Sequence, residues 1–176
     1  MKKILLKFLV VLTLTAILAQ AQSAGDNFLQ PYRPEFVHLQ AGKLEPFNSD
    51  QFIKAPYFIL FYCAGWCPDC RRFTPELVKA YAQQNPADKS YEVLLLPMDR
   101  SEEGMVENMQ IQQMKWPAVA YAKFGPTHPL RKLFSAKGIP CLTVVDAKGT
   151  ILFQSKSDQD APEVLKQLQQ LVRKEK

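Results

Sequence analysis

"YFILFYCAGWCPDCRRFTPEL", residues 57–77, runs without a break from a candidate strand into a candidate helix, with two cysteines at the junction. The run from Tyr57 to Tyr62 is continuously apolar and aromatic, the pattern of a strand covered on both faces. After it, Phe73, Leu77 and Tyr81 recur every four residues with Val78 beside them. That spacing predicts a helix from about Pro68 to Gln84 with one apolar face. Pro75 falls inside it and, lacking an N–H, predicts a kink.

Cys67 and Cys70 form a Cys-x-x-Cys whose first member starts the helix. Free N–H groups and the macrodipole favour an anion there, so a thiol at Cys67 ionises more readily than in open chain. Cys70 follows about one turn later on the same side, placed to attack a mixed disulfide at Cys67. Pro68 suits the first turn, where its missing N–H would have had no partner. Trp66 shields one side of the pair. Asp69 works in two directions: its charge opposes a Cys67 thiolate and favours the helix start. A zinc site lacks ligands, since His38 and His128 are the only histidines and there is no second Cys-x-x-Cys. A c-type haem needs His where Arg71 stands. An inert structural disulfide and a reactive pair both fit, and the helix-start position favours the reactive pair.

The amino terminus differs from the rest. Lys2, Lys3 and Lys7 precede the 12-residue apolar run "FLVVLTLTAILA", Phe8 to Ala19, and then Ala19-Gln20-Ala21. This is the layout of a signal peptide over residues 1–21 with cleavage after Ala21, and the run is short for a membrane span of ~20 residues. The expectation is export, most simply to a periplasm, with no stable membrane insertion after cleavage. Losing those three lysines, with no acidic residue among them, lowers the formal charge from +5 to +2. The remaining basic residues are scattered, which argues against nucleic acid as a partner. Four cysteines are too few to build a disulfide scaffold, and the chain is long enough to bury its own core.

Residues 22–36 read as an extended lead-in and 37–176 as a single α/β domain. "VHLQAGKLEPFN" from Val37 reads as a strand pair turning at Ala41-Gly42, and "YEVLLLPM" at 91–98 as a second buried strand. "DRSE" caps a helix running to about Met114, with Asp99 or Ser101 as the N-cap. "PAVAYA" at 117–122 is strand-like, and a short helix lies around Leu130–Phe134. "CLTVVDAKGTILFQS" reads as a hairpin turning at Gly149. A last helix, capped by Asp160 and Glu163, carries Val164, Leu165, Leu168, Leu171 and Val172 as its apolar stripe before a fraying "RKEK". Trp116, Met105, Met109 and Met114 read as packing residues, and His128 as a solvated loop residue.

In "WCPDCRRFTPEL", "YEVLLLPMDRSEEG" and "GIPCLTVVDAKGTI" the chain resembles the tryparedoxin and nucleoredoxin-like branch of the thioredoxin superfamily, over about residues 37–172. The resemblance implies a thioredoxin fold, a central mixed sheet with helices on both faces. It implies Cys67 as attacking nucleophile, Cys70 as resolving thiol and a redox-active Cys67–Cys70 disulfide. It further implies a cis Ile139–Pro140 bond whose loop docks substrate backbone beside that pair, with no cofactor or metal. Two positions depart from the wider superfamily. Phe61 stands where many thioredoxins carry a buried Asp that accepts the resolving proton, a job left to water or Asp69. Cys141 replaces the Thr after the cis proline and, with Cys63, adds two thiols on neighbouring strands. These read as small buried hydrophobes, or alternatively as a second redox pair, which needs Cα atoms within about 7 Å. The activity implied is reduction of protein disulfides, with an upstream thiol donor returning electrons to the pair. Net oxidation or isomerisation in the same compartment, and a binding module without turnover, are the alternatives.

Overall fold

In the computed structural model, which describes residues 27–87, 89–133 and 138–175, the strand expected at 57–62 runs from Tyr57 to Cys63 and is buried from Phe58 onward. Among the described residues seven strands form one sheet: β1 (Phe36–Gln40), β2 (Lys43–Pro46), β3 (Tyr57–Cys63), β4 (Tyr91–Pro97), β5 (Ala118–Val119), β6 (Cys141–Asp146) and β7 (Ile151–Gln154). Their spatial order is β2-β1-β5-β4-β3-β6-β7. β3 pairs in parallel with β4 and antiparallel with β6, so the sheet is mixed and its centre carries the residues that lead into the cysteine motif. Among the described residues five α-helices join them: α1 (Asp50–Ile53), α2 (Pro68–Ala82), α3 (Glu102–Ile111), α4 (Pro129–Leu133) and α5 (Ala161–Lys174). No helix among the described residues is long and apolar enough to cross a membrane.

Successive side chains of a strand point to opposite faces, and this splits the core in two. Ile59, Phe61 and Cys63 join Phe73 and Leu77 of α2, Met105 and Met109 of α3, Trp116, and Val164, Leu165 and Leu168 of α5. Phe58, Leu60 and Tyr62 join Leu29, Phe36, Phe52, Phe124 and Leu130 on the other face. Each fully buried large apolar side chain contributes ~1.5–3 kcal/mol. The central strands are therefore fixed from both sides, and the end of β3 is a rigid platform. The packing roles read for Trp116 and the three methionines agree with their burial.

Several elements differ from the sequence expectation. The described part of the lead-in is not extended: Gln30–Glu35 forms a 3-10 helix and Leu29 is fully buried. Asn27 anchors it, donating from Nδ2 to the Ile53 carbonyl at 2.7 Å and accepting from the Leu29 N–H at 2.8 Å. The turn at Ala41 (φ 49°) and Gly42 (φ 80°) is as expected, with both residues left-handed as a tight hairpin needs. α3 is capped by Ser101, whose Oγ accepts from the Gly104 N–H at 3.1 Å; Asp99 is used elsewhere. β5 shrinks to two residues, and α4 begins at Pro129. Asp160 does not cap α5: its Oδ2 accepts from Lys156 and Ser157 N–H groups, closing the preceding turn. α5 continues through the expected frayed tail to Lys174, and Glu175 accepts from the Tyr57 hydroxyl at 2.6 Å. His128 is not solvated. It is 6% exposed, lies 2.9 Å from Glu35, and its Nδ1 accepts from the Leu130 N–H. The signal-peptide reading of 1–21, and residues 22–26 of the lead-in, lie outside the described residues, as does Phe134 of the expected short helix.

Candidate active site

β3 delivers the chain into a three-residue link, Ala64–Trp66, and α2 begins at Pro68 with Cys67 as its N-cap. The Cys67 sulfur does the work that Ser or Asp usually does at this position: it accepts from the Cys70 N–H at 3.4 Å. The helix N-terminus therefore points a backbone donor at this sulfur and favours negative charge on it. In its thiol form Cys67 also donates to the Ile139 carbonyl at 3.4 Å. The Ile139–Pro140 bond is cis, as the family resemblance implies, and the loop lies against the cysteine pair.

The two thiols differ in access. Cys67 is 5% exposed and Cys70 is fully buried. The Cys70 thiol is pushed well above its usual range, first by its hydrogen bond to the Cys63 sulfur and then by burial; contacts with Ala64 and Cys67 pull only partly the other way. Of the two, only Cys67 keeps any exposure to solvent.

Trp66 is 48% exposed, its Nε1 donating to the Met98 carbonyl at 3.0 Å and Arg100 stacking over its ring. It stands as a fixed, half-open wall beside Cys67. Pro68 occupies the first turn as read. Asp69 pairs with Arg72, so its charge is partly met on the surface and its hydrogen bond does not go to Cys70. Phe61, at the position of the missing Asp, packs edge-on against Phe73 and Trp116.

The structure adds residues that the motif did not reveal. Asp99 Oδ1 accepts from the Gly65 N–H at 2.7 Å, and Arg71 donates to the Gly65 carbonyl at 2.7 Å. These two clamp the link on both sides. Burial raises the Asp99 carboxyl above its ordinary value, opposed by the Gly65 and Asn108 hydrogen bonds. A Cβ at Gly65 would come 3.0 Å from Asn108 Cβ, so a larger residue there needs Asn108 to give way. A cleft of about 460 Å³ opens between the link and α3, lined by Trp66, Arg71, Asp99, Arg100 and Glu107 among others.

Cys63 and Cys141 do not form a pair. Tyr62, not Cys63, lies opposite Cys141 in the β3–β6 register, so the two cysteines point to opposite faces of the sheet. Burial pushes the Cys141 thiol up to about 11. It behaves as the small buried hydrophobe expected, whereas Cys63 faces the active site.

A family model described as thioredoxin-like matches residues 56–151. Nucleoredoxin from Xenopus laevis is 32% identical over 127 residues, covering 69% of this chain and 30% of that protein. Nucleoredoxin from Bos taurus is also 32% identical, over 69% of this chain and 29% of its own length. The chain thus spans less than a third of the length of the curated relatives it matches. Tryparedoxin II from C. fasciculata superposes with a TM-score of 0.60 at 27% identity, over 78% of this chain and 90% of that one. Tryparedoxin I from Leishmania major gives 0.61 at 24%, over 78% and 88%. With the fold, the cysteine motif and these likenesses in agreement, the chain belongs to the thioredoxin-like family, on its tryparedoxin and nucleoredoxin-like side.

Proposed function

We propose that this chain is an exported thiol–disulfide oxidoreductase that reduces protein disulfides. The observation that carries it is the asymmetry of the pair: a reachable Cys67 sulfur that receives a helix N–H, over a fully buried Cys70. The Cys67 thiolate attacks one sulfur of a substrate disulfide. A Cys67–substrate disulfide forms and the first substrate thiolate leaves. Cys70 then gives up its proton and attacks Cys67 Sγ, forming the Cys67–Cys70 disulfide and releasing the second substrate thiolate. Two electrons pass from the pair to the substrate, and an upstream thiol donor restores them. Trp66 and the Ile139–Pro140 loop flank Cys67, a placement suited to holding an extended substrate backbone. The basic start, short apolar run and Ala19-Gln20-Ala21 support export and so a supply of disulfides.

A Cys70→Ser variant, expressed with its amino-terminal segment, tests both parts. Mixed disulfides through Cys67 with exported proteins should accumulate on non-reducing gels, and the chain should begin at Gln22. Absence of any trapped species would overturn the substrate reading, and an intact amino terminus would overturn the export reading.

A further inference from the structure

Cys63 is a nucleophilic group that the mechanism above leaves idle. It is fully buried at the end of β3, on the face of the sheet that carries the active site. Its sulfur lies 3.7 Å from Thr74 Oγ1, and Thr74 donates to the Cys70 carbonyl at 2.8 Å. Thr74 therefore holds the Cys63 sulfur against the turn of α2 that bears Cys70. From the opposite side, Asn108 Nδ2 approaches the same sulfur at 3.9 Å. Cys63 and Cys70 thus share one buried cluster, joined through the Thr74 hydroxyl, and the Cys63 side chain is the first cause that raises the Cys70 thiol. Cys70 also meets Cys67, whose sulfur accepts its N–H at 3.4 Å. Cys70 therefore neighbours both Cys67 and the Cys63–Thr74 pair.

We propose that Cys63 is a second exchange partner for Cys70, so that the oxidised centre has two isomers, Cys67–Cys70 and Cys63–Cys70. The inference rests on the exchange chemistry proposed above for Cys67 and Cys70. The step is neutral in electrons. Cys63, having lost its proton, attacks Cys70 Sγ of the Cys67–Cys70 disulfide. The Cys63–Cys70 bond forms, the Cys67–Cys70 bond breaks, and Cys67 leaves as a thiolate that takes the proton released by Cys63. Because Cys63 has no exposed surface, dissolved disulfides do not reach it and the route to its oxidation runs through Cys70.

The second isomer has a distinct activity. Its disulfide is buried, and Cys67, the one of the three with any exposure, is again a thiol. It can attack a substrate disulfide while Cys70 is occupied, so the mixed disulfide is released by a thiol of the substrate itself. That sequence rearranges substrate disulfides without consuming electrons. The oxidised protein would then act on misbridged chains, and the reduced protein would act as a reductase.

Peptide mapping of the oxidised full chain tests this. The wild type is oxidised with excess oxidised glutathione, its remaining thiols are blocked with N-ethylmaleimide, and it is cut with chymotrypsin. Cleavage after Tyr62, Trp66 and Phe73 places Cys63 on peptide 63–66 and the other two on 67–73. The expected result is a fraction of 63–66 crosslinked to Cys70 of 67–73, with Cys67 blocked or glutathionylated, and loss of that species in Cys63→Ser. Recovery of all 63–66 in blocked form beside an intact Cys67–Cys70 disulfide would overturn the inference and leave the proposed function standing. A crosslink to Cys67 with Cys70 blocked would also overturn it. All three cysteines blocked would instead overturn the exchange chemistry on which it rests.

Discussion

Cys67 and Cys70 are three residues apart and chemically unequal, because one is the N-cap sulfur and the other lies inside the first turn against Cys63. The resolving step needs the Cys70 thiolate, which the raised Cys70 value makes scarce at neutral pH. Stopped-flow reduction of a fluorescent peptide disulfide should therefore show two phases. The second should accelerate by roughly tenfold per pH unit between about pH 7 and 9. A second phase indifferent to pH would contradict this. At this scale the motif made much legible: Trp66, Cys67, Pro68 and Cys70 owe their arrangement to the local strand-to-helix turn. Asp99 and Asn108 were not legible as site residues, since each reaches the link or Cys63 from more than 30 residues away. His128 was misread for the same reason: its partner Glu35 lies 93 residues earlier.

The Ala64–Trp66 link sets the direction in which α2 leaves the sheet, and it is held by backbone hydrogen bonds to Asp99 and Arg71. Asp99→Ala removes a carboxylate acceptor from the partly buried Gly65 N–H, which should cost about 1–3 kcal/mol. Denaturant unfolding should show a lower midpoint at unchanged slope, and the initial rate of disulfide reduction should fall as Cys67 loses its fixed position. An unchanged midpoint would mean that the link holds itself. Long elements were readable from sequence because their periodicity spans many residues: β3, β4, α2 and the apolar stripe of α5 fall where expected. The 3-10 turn at Gln30–Glu35, the four-residue α1 and the two-residue β5 are too short to carry a period, and tertiary contacts decide them. The capping roles of Asp99 and Asp160 failed because each side chain had another backbone donor within reach.

Across the molecule, two packed faces enclose ionisable groups in neutral form. Burial pushes the Cys141 thiol up to about 11 and raises Tyr62 and Tyr81, and Cys70 is raised first by its hydrogen bond to Cys63 and then by burial. A value raised on folding gives stability that is complete below the unfolded value, 9.0 for a thiol, and is lost as pH rises through the folded one. The denaturation midpoint should hold up to about pH 9 and fall steadily toward pH 11, and Cys141→Ala should flatten part of that fall. A midpoint constant over that range would contradict the buried placement of these groups. The proposed function requires a dithiol that gives up electrons readily from Cys67 outward. Its most direct test is the reduction potential of Cys67–Cys70, taken from thiol labelling after equilibration in glutathione buffers. A two-electron transition in the reductase range, at roughly −270 mV, is the predicted result. One at roughly −120 mV, the range of strong oxidants, would contradict it.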